Sequence, residues 1–315
     1  STAGSPCAVD PPGCCGQRTV EKPLSDPAKA ASIWATFREA LRGSEQDYTE
    51  GSIRRAIFLL AIPMVLEVAL ESIFAVVDVF LVSKLGAAAV AAVGLTESML
   101  AITYSMAMGT AIAVTAVVAR RWGEGDREGA GRAAAQAVLV GLVMAAVLGI
   151  TGVVFAEELL RLMGADDEVV AIGLNFTRIM LGGEVTVILL FLLNGAFRGA
   201  GDAAIAMRVL WIANAVNIAL CPVLIFGLGP IPALGVTGAA LATTIGRGIG
   251  AVVALRTLTG QGHRLSVRWS WLRYDAAITG SIVRLAGTAS LQFLIGTASW
   301  IGLVRLMATF GSTVV

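Results

Sequence analysis

Charge is scarce in this sequence. Only 14% of its 315 residues are Asp, Glu, Lys or Arg, and 57% are hydrophobic. A water-soluble domain carries about a quarter charged residues, so this composition argues against one. The formal net charge of +1 offers no basic surface for nucleic acid. Histidine is nearly missing, with His263 alone. Cysteine is limited to Cys7, Cys14, Cys15 and Cys221, three of them in the first fifteen residues and none at metal-ligand spacing. That argues against a structural zinc site and against a disulfide framework. Neither H-E-x-x-H nor G-x-S-x-G occurs, so hydrolytic metal and triad chemistry lack their parts. The chain is not read as an enzyme, and no cofactor is expected.

What is abundant is apolar length. A membrane-crossing helix needs about 20 mostly apolar residues. Seven such stretches follow Ile57, at roughly 57–82, 95–118, 134–156, 169–193, 206–227, 235–258 and 280–308. Small residues fill them, as in GVTGAALATTIGRGIGA from 235, and small residues let helices approach closely in lipid. Residues 1–50 are polar and rich in Pro, Gly and Ser, and are read as a disordered or artefactual segment. Residues 51–260 form a first lobe of six spans, 261–279 an interlobe loop, and 280–315 a seventh span.

The connections alternate in charge. Those after spans 2, 4 and 6 hold ten Lys and Arg residues, against two after spans 1, 3 and 5. The positive-inside rule then places the basic connections and the N-terminus in the cytoplasm, in the plasma (inner) membrane. Sliding the chain by 225 residues lays 58–90 over 283–315 with seven identities, Leu60/Leu285 and Gly86/Gly311 among them. Span 7 then repeats span 1, which is a parallel repeat of the kind transporters use. On that reading the chain stops as its second half begins.

Against this background the first span is peculiar. ESIFAVVDVFLVSKLG, from 71, places Glu71 and Asp78 in an apolar run, and Glu67 lies one turn earlier. At about 100° per residue the three acids fall within roughly 40° of one another, in a stripe about 16 Å long. No Lys or Arg lies in the span to neutralise them. An ionised group at mid-bilayer costs about 2.5–3.5 kcal/mol on insertion scales, so such acids are candidates for proton exchange or for a shared Na⁺. Permanent neutral hydrogen bonding between helices is the plainer alternative. Further polar residues lie in later spans: Glu184 after Gly182-Gly183, Asn214 and Asn217, Thr243 and Thr244, and Arg247. Arg247 requires a counter-ion, for which Glu184 is a candidate. Glu97, at the opening of span 2, is expected at the outer membrane interface. Met64, Phe74, Met99, Tyr104, Met106 and Met108 are candidate apolar walls of a substrate site.

Several stretches in order resemble the MATE multidrug and toxin extrusion transporters, over about 53–315. They are LAIPMVLEVALESIFAVVDVFLVSKLGAAAVAAVGL, ARRWGEGDREGAGRAAAQA, FRGAGDA and NAVNIALCPVLIFGLGPIPALGVTGAALATTIG. The resemblance implies an all-α polytopic membrane protein: a six-helix N-lobe, then the first helix of a second, parallel-repeat lobe. It implies an antiporter that exports small organic cations in exchange for H⁺ or Na⁺, surrounded by membrane lipids. It matches the family's first-span Asp to Asp78, and its Asn and Thr of spans 5 and 6 to Asn217 and Thr243, where Na⁺ is a candidate occupant with Asp78. The family's span 5 Asp falls on Cys221. Glu71 is the expected replacement for that lost charge. Glu67 and Glu184 complete the candidate residues for cation coupling and substrate binding. A lipid-linked oligosaccharide flippase of the same superfamily, or a fragment that does not transport, are the alternatives.

Overall fold

A computed structural model describes residues 34–35, 37–41, 53–228, 230, 232–260 and 264–308. The polar segment at 1–50 falls outside them except for a few helical residues, as do His263 and 309–315. The fold is all-α. Its long elements are α1 (Ile53–Ser83), α2 (Ala87–Gly123), α3 (Arg127–Val154), α5 (Asp167–Gly182), α6 (Glu184–Gly199), α7 (Ala203–Phe226), α8 (Val236–Thr259) and α9 (Ala276–Ala308), with a short α4 (Ala156–Leu162) between α3 and α5. Among the described residues six stretches are long and apolar enough to cross a membrane, with α5 and α6 together as one of them. α1 adds a further helix of 31 residues, or about 46 Å at 1.5 Å per residue. Its outward face is apolar, with Val65, Val68 and Val76 exposed, and α3 likewise exposes Val143, Val147 and Ile150. Faces like these are stable against lipid and not against water.

Three of the turns share one construction. Gly125, Gly164 and Gly201 all have positive φ, at 78°, 92° and 80°, the left-handed conformation that glycine adopts without strain. An aspartate one or two residues later caps the next helix. Asp126 accepts from the Gly129 N–H at 2.8 Å, Asp166 from the Val169 N–H at 2.8 Å and Asp202 from the Ile205 N–H at 3.3 Å. The Gly129 N–H, aided by the Arg121 guanidinium, holds Asp126 below the usual carboxylate range. Its contribution is therefore complete at neutral pH and lost only as pH falls through that lowered value. Asp166→Ala is expected to cost about 1 kcal/mol of helix stability, and Asp166→Asn much less, as read by thermal unfolding of the detergent-solubilised protein.

Packing is governed by small residues. On α8, Gly238, Ala242, Gly246 and Gly250 recur every fourth residue. A Cβ at Gly246 would stand 2.7 Å from the Ala213 carbonyl oxygen of α7, and one at Gly238 would collide with that of Leu224. The stripe thus brings the two backbones into contact. On α6, Gly195 and Gly199 press against α2 in the same way, and the Thr115 hydroxyl donates to the Gly195 carbonyl at 2.8 Å. α9 packs on α2 where Gly109 meets Ser290.

The connection between α8 and α9 is tied down. Gln136, buried on α3, donates to the Trp271 and Arg273 carbonyls at 3.2 and 2.7 Å. Its side-chain oxygen accepts from the Asp275 N–H and the Thr279 hydroxyl at 3.1 and 3.0 Å.

Candidate functional site

The α8 stripe decides what its neighbouring residues meet. Thr243 follows Ala242, and Arg247 follows Gly246, so both sit at the edge of the α7 contact. Asn217 on α7 donates through Nδ2 to Thr243 Oγ1 at 2.9 Å. One turn further along α7, the Cys221 thiol donates to Asp78 Oδ1 at 3.4 Å. Two separate polar contacts one turn apart on α7 therefore tie it to α8 through Asn217–Thr243 and to α1 through Cys221–Asp78.

The acid stripe is not left without arginine. Arg247 Nη2 donates to Glu71 Oε1 at 2.8 Å, while Asn214 Nδ2 donates to Glu71 Oε2 at 2.9 Å. Both carboxylate oxygens of Glu71 are thus engaged. The Arg247 guanidinium also lies over the Phe74 ring, 5.8 Å from its centroid. Glu67 is ion-paired with Arg198, from the last turn of α6, and both side chains are largely buried. The expectation of an unneutralised stripe is corrected here. The neutralising arginines come from α6 and α8, and the composition of α1 alone could not show them. The expected Glu184–Arg247 pair is replaced by Glu71–Arg247. Glu184 is fully buried at the start of α6, within electrostatic range of Arg247 and Glu97. Among the described residues neither of its carboxylate oxygens has a well-formed hydrogen-bond partner, although the Thr103 side chain lies beside it.

These residues enclose a cavity of about 230 Å³. Asp78, Glu71, Glu97, Thr243 and Arg247 supply its polar wall; Phe74, Tyr104, Phe176 and Met180 supply much of its apolar wall. Of the six candidate site residues, Asp78, Glu71 and Thr243 line it, and Asn217 supports Thr243. Glu67 and Glu184 do not line it. Of the candidate apolar walls, Phe74 and Tyr104 reach it.

Glu97 also lines the cavity, and sequence reasoning did not include it among the site residues. Span 2 was expected to begin near 95, which put Glu97 at its opening, whereas α2 begins at Ala87. Along the helix axes from the turn at Lys84–Gly86, Glu97 stands about 15 Å away, between Asp78 at about 8 Å and Glu71 at about 18 Å. The position of that turn is the signal that places the three acids beside one another. Among the described residues neither Asp78 nor Glu97 forms an ion pair, so the cavity keeps two acids beyond the Glu71–Arg247 pair.

A family model described as MatE matches residues 63–223, just over half of the chain. A probable multidrug resistance protein, YoeA of Bacillus subtilis (strain 168), is 27% identical over 272 residues, covering 85% of this chain and 58% of that protein. An FAD transporter of Shewanella oneidensis is 30% identical over 191 residues, covering 61% of this chain and 42% of that protein. A crystal structure of MATE in complex with MaL6 superposes with a TM-score of 0.77 at 28% identity, covering 87% of this chain and 58% of that one. The chain spans about half the length of the curated relatives it matches.

Proposed function

This chain belongs to the MatE family, and from that premise we propose that it acts in secondary active efflux, exporting organic cations in exchange for H⁺ or Na⁺. The observation that carries the reading is the cavity charge. Asp78 and Glu97 face a space walled by Phe74, Tyr104, Phe176 and Met180, with no cationic side chain bound to either acid among the described residues. Unpaired carboxylates beside aromatic faces attract a cation that also has apolar surface.

Coupling follows from competition. An organic cation and an entering H⁺ or Na⁺ neutralise the same acids, so each displaces the other. A bound ligand shifts the inward–outward equilibrium only by its differential affinity for the two states. In this reading α1–α8 form the first lobe and α9 opens the second. The arginine-rich ends, with the N-terminus, face the cytoplasm.

Arg247 favours a second reading. A guanidinium in the wall suits a cargo with an acidic group, and one relative is named as an FAD transporter. The cavity nonetheless holds three acids against one arginine, which ranks the cationic cargo first. The test is transport of a fluorescent organic cation and of a fluorescent organic anion in vesicles carrying the protein, with an imposed pH or Na⁺ gradient. Gradient-driven movement of the cation alone is expected. Movement of the anion alone would replace the first reading with the second, and movement of neither would remove both.

A further inference from the structure

Away from that cavity, two adjoining pockets run along the α3–α9 seam. The first, of about 460 Å³, is polar and lies at the N-terminal end of α3, with Arg132, Gln136, Trp271, Arg273, Tyr274 and Asp275 among its walls. The second, of about 410 Å³, is almost wholly apolar, with Leu139, Val140, Val143, Met144, Val147 and Val283 among its walls. Tyr274 belongs to both. The walls are continuous as well. On α3 they run from Gln136 through Val140 to Leu148, about 18 Å of helix. On α9 they run from Ala276 through Thr279 to Val283.

From this juxtaposition we propose that the α3–α9 seam is a binding site for one anionic phospholipid, with its phosphate on Arg132 and Arg273 and an acyl chain along the apolar groove. The charges decide the headgroup. Arg273 is exposed and forms no ion pair among the described residues, and Arg132 holds only an exposed pair with Glu128 one turn away. Exposed pairs of that kind are worth little and yield readily to a phosphate. Asp275 is the one acid in the polar pocket, and its Oδ1 is taken up by the N–H groups of Ala277 and Ile278 at the start of α9. Arg268, whose guanidinium lies over the Trp271 ring at 5.6 Å, adds a further positive charge nearby. Tyr274 sits between the two pockets and Trp271 walls the polar one, a placement that aromatic rings take at a bilayer interface. The groove below them opens outward, with Val143, Val147 and Val283 more than half exposed. The Gln136 bonds to the loop hold Arg273 and Tyr274 over the end of α3, so the headgroup half is fixed in place rather than carried on a loose loop.

Native mass spectrometry of the purified protein tests this. It would be titrated in detergent with phosphatidylglycerol or phosphatidylcholine of the same chain length. Retention of phosphatidylglycerol at least about tenfold above phosphatidylcholine is expected. The preference should vanish in Arg132→Gln/Arg273→Gln, and Val147→Trp, which fills the groove, should lower retention of the lipid. Glycerol phosphate, which has no acyl chain, should not displace it. Both variants alter exposed side chains, and thermal melting in lipid-free detergent is expected to match the wild type, which separates lost binding from lost folding. Equal retention of the two lipids, or a preference that survives the double substitution, would overturn the headgroup assignment. Displacement by glycerol phosphate would overturn the acyl half. Retention of neither lipid would mean that protein covers the seam, and the proposal would fall.

Discussion

Gradient-driven efflux of an organic cation is expected to drop to the level of protein-free vesicles when Asp78 becomes Asn. The three acids of α1 are not equivalent. Glu67 is bound to Arg198, and Glu71 is held by Arg247 and Asn214. Among the described residues Asp78 has only the Cys221 thiol as a hydrogen-bond partner, and it opens on the cavity. Asn preserves the volume and removes the charge. A carboxylate about 4 Å from a cation contributes about 4 kcal/mol at an effective dielectric constant near 20. Losing it corresponds to about a thousandfold in affinity. The matching Glu71→Gln change is expected to weaken transport far less, because Glu71 already has a partner. This reverses the weight that the sequence alone gave to Glu71 as the substitute for the acid missing at Cys221. Transport by Asp78→Asn equal to that of a gradient-responsive wild type would make the stripe a structural feature.

Arg247→Met is expected to destabilise the protein by about 3 kcal/mol, and Glu71→Gln in the same chain to restore a large part of that loss. Breaking a buried ion pair from one side leaves the other charge without compensation, at a cost of about 3–5 kcal/mol. The lower figure applies because the Glu71 side chain remains 36% exposed, while that of Arg247 is 7% exposed. Arg247→Met also removes the contact over Phe74. Replacing Glu71 as well removes the orphaned charge, and Asn214 can still bond to the Gln amide. Thermal melting of the four proteins in one detergent gives the coupling directly. Additive losses would mean that the two side chains do not interact in the folded protein, and the cavity would then have to be redrawn with Arg247 as a free cation.

The two predictions depend on different kinds of information. The spans were legible in the sequence because hydropathy and helical period are local: the expected 206–227 and 235–258 became Ala203–Phe226 and Val236–Thr259. The turns were marked by the Gly-Asp pattern at 125–126 and 201–202. The shared face of Glu67, Glu71 and Asp78 followed from their spacing alone. Their partners did not. Arg198 is 131 residues from Glu67, and Arg247 is 176 from Glu71. Which acid an arginine meets depends on the depth of each helix and on how closely its neighbours approach. Glu97 was not among the site candidates because an apolar count does not locate the turn before α2. Approach was set by Gly238, Ala242, Gly246 and Gly250, whose missing or minimal side chains let α8 meet the α7 backbone and carry Thr243 to Asn217 and Arg247 to Glu71. The sequence by itself determined an all-helical membrane protein with buried acids in its first span. Tertiary structure decided which of those acids are neutralised and which remain open to a ligand, because charge pairing is a property of helices in contact and not of any one helix.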